Sequence, residues 1–286
     1  VGLADASGKR PYAVLQLRRE NAEGTLFGLV GCQTNLKFGE QKRVFSLIPA
    51  LRNAEFVRYG VMHRNTFLDS PRVLQADLSA KDNPMLFFAG QKPVRRSPAH
   101  SSDGLCELVC SNSLKSDDVF GNACGLLKEE MRRLGSVTME AAAATRVPAG
   151  GALAVDRERF SEYVTRKLRA EPRIRIVCRE ETELPEAGIV ATGPLTDGAL
   201  YAAIERRFGG GLHFYDATAP VVTAESIDLS EAFTADRYGR GTGDYVNCPM
   251  DKPQYETFVR ELLAAEKVTL HDFEKREIFE GCMPVE

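Results

Sequence analysis

No apolar run in the 286-residue sequence approaches the length of a membrane span. Residues 1–20 also lack the charged start and apolar block of a secretory signal. There is no internal repeat and no low-complexity segment. A Walker loop is absent, and so is a G-x-G-x-x-G turn. The glycine clusters at Gly209–Gly211 and Gly239–Gly243 follow a helix end and a tyrosine, and read as turns. Zinc has no convincing pattern, because Cys106 and Cys110 lack a second ligand pair at proper spacing. The seven cysteines are odd in number and irregularly spaced, which argues for reduced thiols rather than a disulfide framework. Together these absences place the expected protein in the cytoplasm, with no membrane and no metal.

What is present is an ordinary globular composition, 43% hydrophobic and 27% charged, long enough for one large domain or two ordinary ones. The net charge of −3 is uneven. Residues 1–91 carry 12 Lys and Arg against 8 Asp and Glu, and residues 92–286 carry 25 against 32. A basic surface on an acidic protein is compatible with RNA or another polyanion, although solvated basic faces are common.

The stretch Gly31–Phe67 is the most informative. Gln33, Thr34 and Asn35 lead into a polar turn at Gly39–Glu40, then a short amphipathic helix of about 40–48 with Val44, Phe45 and Ile48 on one face, ended by Pro49. An extended FVRYG run follows and ends in Met62-His63-Arg64-Asn65. Such a cluster of hydrogen-bonding groups between apolar segments suits a planar, heteroatom-rich ligand; it also reads as a surface loop between a helix and a strand.

Along the rest of the chain, residues 11–31 read as a hairpin around Asn21–Gly24, and MLFFAGQ (85–91) as a buried strand running into a tight turn. After an extended connector, a helix is expected from Asn122 with Leu126, Leu127, Met131 and Leu134 as its buried stripe. An alanine-rich helix (136–145) follows, then one capped by Asp156 with Phe160, Val164 and Leu168 four apart. RIRIVC (173–178) reads as a strand. GIVATGPLT with a helix at about 197–208 reads as a βα crossover, whose glycine lies at the strand end where open α/β sheets bind ligands. Short strands (HFYDA, YVNCPM) then alternate with a helix marked by Asp251 and Pro253.

Two thiols stand in open contexts. Cys110 precedes Ser-Asn-Ser, and Cys282 sits between Gly281 and Met-Pro; Cys124 and Cys178 lie in apolar runs and read as inert core.

The blocks ELVCSNSL (107–114), GLLKEEMRRLGS (125–136), RVPAGGALAVDRERFSEYV (146–164), VATGPLT (190–196), DYVNCPM (244–250) and FEGCMPVE (279–286) resemble the folate- and FAD-dependent tRNA (uracil-5-)-methyltransferase family. So, above all, do QTNLKFGEQKRVF and FVRYGVMHRNTF. The resemblance covers nearly the whole chain. It implies an α/β fold: an FAD-linked, disulfide-reductase-like Rossmann-type body with a mixed sheet and an inserted smaller α+β domain. The implied division is 1–91 and 92–200 as the family's C-terminal and N-terminal parts of the FAD body, 201–270 as the insert, and 271–286 as the return to the body.

The resemblance further implies methylation of C5 of a T-loop uridine in tRNA, with methylene-tetrahydrofolate as the carbon donor, FAD as cofactor and NAD(P)H as electron source. Cys282 is then the thiolate that adds to uracil C6, and Cys110 assists proton removal, roles that could be exchanged. Tyr59, His63, Arg64 and Asn65 match the flavin- and folate-facing segment. Thr192, Gly193, Ala89 and Gly90 match strand ends that touch FAD, and His100 a position near the flavin. Lys37, Lys42, Arg43 and Arg58 could contact RNA phosphates; nothing points to DNA. The sequence departs from the family in two ways. Its blocks are circularly permuted, which predicts Val1 and Glu286 as spatial neighbours, and the family's G-x-G-x-x-G segment is missing. The alternative reading is therefore a permuted, cofactor-deficient body that keeps the fold, with or without tRNA binding, and lacks catalysis.

Overall fold

The structure is a computed structural model. It describes residues 3–4, 7–67, 70–75, 79–88, 102, 104–109, 111–177, 180–190, 196, 198–209, 212–237, 241–268 and 284–286. In chain order the elements are β1 (Ala13–Arg19), β2 (Leu26–Leu29), α1 (Phe38–Phe45), β3 (Phe56–Arg58), β4 (Met62–Phe67), α2 (Ser70–Val73), β5 (Ser79–Ala80), β6 (Asn83–Phe88) and β7 (Ser113–Ser116). Then come α3 (Ala123–Arg133), α4 (Val137–Ala144), β8 (Arg146–Val147), β9 (Ala152–Val155), α5 (Arg157–Ala170), β10 (Gly188–Val190) and α6 (Gly198–Phe208). The last are β11 (Leu212–Ala217), β12 (Val221–Thr223), β13 (Phe233–Thr234), β14 (Val246–Met250) and α7 (Lys252–Ala264).

The hairpin forms where alternation and turn chemistry place it. Asn21 Oδ1 accepts from the Thr25 and Leu26 amides, and Gly24 supplies the positive φ of +69° that a side chain would resist. The two strands sit inside a six-stranded antiparallel sheet ordered β13-β14-β1-β2-β12-β3. Residues 1–91 and 201–270 each contribute three of its strands. α1 and α7 lie on one face and bury Val44, Phe45, Ile48, Phe258 and Leu262 against Leu15, Leu17, Leu29 and Cys248. Burying each such aliphatic or aromatic side chain contributes about 1.5–3 kcal/mol. α7 starts at a full capping box, with Asp251 and Gln254 exchanging side-chain and backbone bonds.

A second core joins α4 and α5 to the small antiparallel sheet β7-β9-β8, through Met139, Leu153, Val155, Phe160 and Val164. The four-residue spacing of Phe160, Val164 and Leu168 thus faces inward, and Asp156 caps α5 by accepting from the Arg159 amide. A third group is the sheet β10-β6-β5, in which β10 and β6 run parallel, with Val190 opposite Phe88. β4 pairs separately with β11. The chain is a mixed α/β protein with several sheets.

Two expectations need correction. The stripe assigned to α3 is turned outward: Leu126, Leu127 and Leu134 are 49%, 57% and 85% exposed, and of the four only Met131 packs against the second core. The buried side is Gly125 and Lys128. A β-carbon at Gly125 would meet the Asp118 carbonyl oxygen at 2.0 Å, and the Lys128 ammonium donates to the Ser116 and Cys124 carbonyls. Backbone contact and a capped lysine thus set the orientation. Residues 173–177 alternate like a strand but form none, and Ile174, Ile176 and Val177 stay exposed, since no described strand pairs with them.

Among the described residues no helix is long and apolar enough to cross a membrane, and no group of three His, Cys, Asp or Glu side chains could hold a metal ion.

Candidate active site

The last residues of β1 and the turn after it organise the site. Arg18 reaches from the sheet to residues 111–112: its Nε donates to Asn112 Oδ1 and its Nη2 to Ser111 Oγ, both at 2.9 Å. Asn112 is fully buried and donates in turn to the Arg19 and Val155 carbonyls, at 2.8 and 3.1 Å. Two residues further along, Glu20 accepts from Arg157 Nε at 2.8 Å, and Arg157 Nη1 donates to the Leu108 and Val109 carbonyls. Both sides of position 110 are therefore fixed from one strand end. The Glu20–Arg157 pair is itself largely buried, so neither partner can be removed without stranding a charge.

Beside this clamp, a pocket of about 410 Å³ lies between the sheet and the start of α5, with Asn21, Glu20, Arg58, Arg157, Glu158 and Val221 among its lining. Burial, followed by the neighbouring Arg157 guanidinium, pulls Arg58 down from the ordinary arginine range. Arg58 makes no hydrogen bond or ion pair among the described residues.

The Gln33-Thr34-Asn35 turn holds the other end of the chain. Glu286 accepts from Thr34 Oγ1 at 2.9 Å and from the Asn35 amide at 2.7 Å, while the Val285 amide donates to the Gln33 carbonyl at 2.8 Å. Thr34 also adjoins the RYG segment: a β-carbon at Gly60 would lie 2.7 Å from its methyl. Gln41, fully buried on α1, donates to the Leu36 and Gly60 carbonyls and accepts from the Gly60 amide. Tyr59 stacks with Phe38 and with Phe56, with ring centroids 4.8 and 5.8 Å away.

The four basic residues divide. Lys37 pairs with Glu266 at 2.6 Å, and this bond raises its pKa. Arg43 is shared by Glu40 and Glu261. Lys42 is exposed, whereas Arg58 lines the pocket. His63, Arg64 and Asn65 lie on β4, opposite Asp216, Tyr215 and Phe214 of β11. Cys110, Cys282, Ala89, Gly90, His100, Thr192 and Gly193 lie outside the described residues, as does Val1. In the chain, Ala89 directly follows Phe88, the last residue of β6, and Thr192 comes two residues after Val190, the last of β10.

Sequence reasoning missed Arg18, Glu20, Asn112, Arg157, Gln41 and Glu286. Only Gln41 left a signal, a polar residue on the apolar face of its helix.

The sequence matches the family described as glucose inhibited division protein A over residues 1–93 and 97–286. The chain belongs to that family. Within it, the chain is 60% identical over 199 residues to the methylenetetrahydrofolate--tRNA-(uracil-5-)-methyltransferase TrmFO of Anaeromyxobacter sp. (strain Fw109-5), covering 68% of this chain and 44% of that protein. The proteins of the same name from Geotalea uraniireducens (strain Rf4) and Geobacter sulfurreducens (strain ATCC 51573 / DSM 12127 / PCA) are 59% and 58% identical over 198 residues, 68% of this chain and 45% of each. The chain spans a little under half the length of these curated relatives.

Proposed function

We propose that this chain belongs to an enzyme that methylates C5 of the T-loop uridine of tRNA in the cytoplasm, with methylene-tetrahydrofolate as donor, FAD as cofactor and NAD(P)H as reductant. The observation that carries the reading is the 58–60% identity to proteins named as methylenetetrahydrofolate--tRNA-(uracil-5-)-methyltransferases. The geometry supports it, because the parallel strands β6 and β10 end together, side by side, at the edge where open α/β sheets bind ligands. Thr192-Gly193 and Ala89-Gly90, which follow these strands in the chain, would hold FAD together with His100. When bound, the flavin and folate supply the one-carbon unit and its electrons.

The residues of the chain supply the rest. The Cys282 thiolate adds to uracil C6 and turns C5 into a nucleophile; after C5 takes up the carbon, its proton passes to Cys110, and expulsion of the thiolate restores the ring. The Arg18 and Glu20–Arg157 clamp holds residues 108–109 and 111–112, on either side of Cys110 in the chain, and Glu286, four residues after Cys282, is latched to Thr34 and Asn35. Tyr59, His63, Arg64 and Asn65 are the proposed folate- and flavin-facing segment. Lys42, with Lys37 and Arg43 if they release their carboxylates, faces RNA phosphates and helps to offset the few kcal/mol needed to unstack the uridine.

For the fold we propose a Rossmann-type FAD body with an inserted domain, divided after residues 91, 200 and 270, with the six-stranded sheet shared by the first and third segments. The permuted order of its blocks is part of the same proposal.

Trapping on a 5-fluorouridine T-loop RNA tests the reading. A covalent adduct that needs FAD, folate and NADPH and vanishes in Cys282→Ala is expected; no adduct and no 5-methyluridine in a tRNA transcript would overturn it. Quenching of FAD fluorescence by the protein is expected as well; the cofactor-deficient alternative predicts that it stays unquenched.

A further inference from the structure

The cross-strand row Arg18–Gly28–Val221–Arg58 lies on one face of the six-stranded sheet, because residues directly opposite in an antiparallel ladder share a face. Glu20 lies over Gly28, where a β-carbon would meet its Oε1 at 2.4 Å. Glu20, Val221 and Arg58 all line the pocket of about 410 Å³ on this face. The volume suits a small ligand or one end of a larger one.

The charges of the lining are mostly spent. Arg157 is held by Glu20 and two carbonyls, Arg159 by Glu23, and Asp156 caps α5. Arg58 is left half-buried, beside a second guanidinium and with no hydrogen bond or ion pair among the described residues; Glu20, Glu107 and Glu158 act on it through their charge alone. A desolvated cation next to a like charge is costly, and an oxyanion in the pocket would offset both terms. We propose that the pocket receives a carboxylate of a small ligand, taken by the Arg58 guanidinium in paired hydrogen bonds. A nucleic-acid strand fits it poorly, because its further phosphates would run past Glu158 and Glu162, both exposed. Resting on the proposed reaction, the ligand is the glutamyl tail of the folate donor.

Titration calorimetry on the full chain with 5-formyltetrahydrofolate tests this. Arg58→Met weakens binding by about 10-fold or more. It leaves binding of 6-methyltetrahydropterin, which has no carboxylate, and of a T-loop RNA within twofold. Equal folate affinity in Arg58→Met, an equal loss for the carboxylate-free pterin, or a loss confined to RNA overturns the proposal. Should Arg58→Met not fold, phenylglyoxal modification of Arg58 in the unaltered protein, read by peptide mass, decides: 5-formyltetrahydrofolate slows it and 6-methyltetrahydropterin does not. If the protein binds no folate, the donor reading fails, and protection of Arg58 by free glutamate still supports the carboxylate site; no protection by either overturns it.

Discussion

Arg18 and Asn112, 94 positions apart, are joined by a 2.9 Å bond from the guanidinium Nε to the amide oxygen, and the same guanidinium takes Ser111. That contact ties the six-stranded sheet to the residues after Cys110. Arg18→Met keeps the length of the side chain and removes both bonds, leaving the fully buried Asn112 oxygen without its donor. Charge-assisted bonds of this kind contribute about 1.5–3 kcal/mol, so urea unfolding shows a loss of about 2 kcal/mol. Hydrogen exchange in the peptide spanning 107–112 accelerates. Arg18→Lys recovers less than half of the loss, because an ammonium cannot reproduce the fork. Wild-type exchange in that peptide would refute the clamp.

The outward leucines of α3 reverse the usual expectation for a helix. Leu127→Gln changes stability by no more than about 0.5 kcal/mol, as for other exposed positions. Lys128→Ala costs about 2 kcal/mol, since the Ser116 and Cys124 carbonyls lose the ammonium that joins them. Parallel urea titrations decide the order of the two, and a larger loss at Leu127 would show that the helix packs the other way round.

How far the fold could be read in advance follows from the range of the forces involved. The Asn21–Gly24 turn, the Asp156 and Asp251 caps and the Phe160/Val164 spacing are local, and each formed where propensity places it. The face of α3 was misread because Gly125 is drawn in by backbone contact, which hydrophobicity does not register. The site was less legible still. Gln41 bonds across 19 residues, Arg157 to Glu20 across 137 and Thr34 to Glu286 across 252. Such polar partners are chosen by the packing of distant segments, and no short pattern encodes them. The polar Gln33–Asn35 turn was visible as a cluster of hydrogen-bonding groups; that it holds the chain's own Glu286 was not.

The Glu286 latch makes its own prediction. Glu286→Ala removes the acceptor for Thr34 Oγ1 and the Asn35 amide at once, so amide exchange at Asn35 and Val285 rises and unfolding shifts by about 1–2 kcal/mol. In a double-mutant cycle with Thr34→Val the two losses are not additive, with a coupling of about 1 kcal/mol. Additive losses would mean that the two groups do not act together.

Cys32 and Cys248 give the molecule an alkaline limit. Burial pushes both thiols up to about 12, and for Cys32 the neighbouring Cys248 and Glu286 add to it. The unfolded chain holds these thiols at the ordinary value of 9.0. Below pH 9 both states keep the proton and nothing is lost. Between pH 9 and 12 the unfolded state ionises while the folded state does not, so stability falls as pH rises. At pH 10, one unit above the unfolded value, each thiol lowers stability by about 1.4 kcal/mol. Urea midpoints at pH 8 and pH 10 measure the total, to which lysines and tyrosines also contribute. Cys248→Ala isolates one thiol: it lowers stability at both pH values through the cavity it leaves, but its loss from pH 8 to pH 10 is smaller than that of the unaltered protein by about 1.4 kcal/mol. An unchanged difference between the two pH values would show that Cys248 ionises in the folded state as it does in the unfolded one.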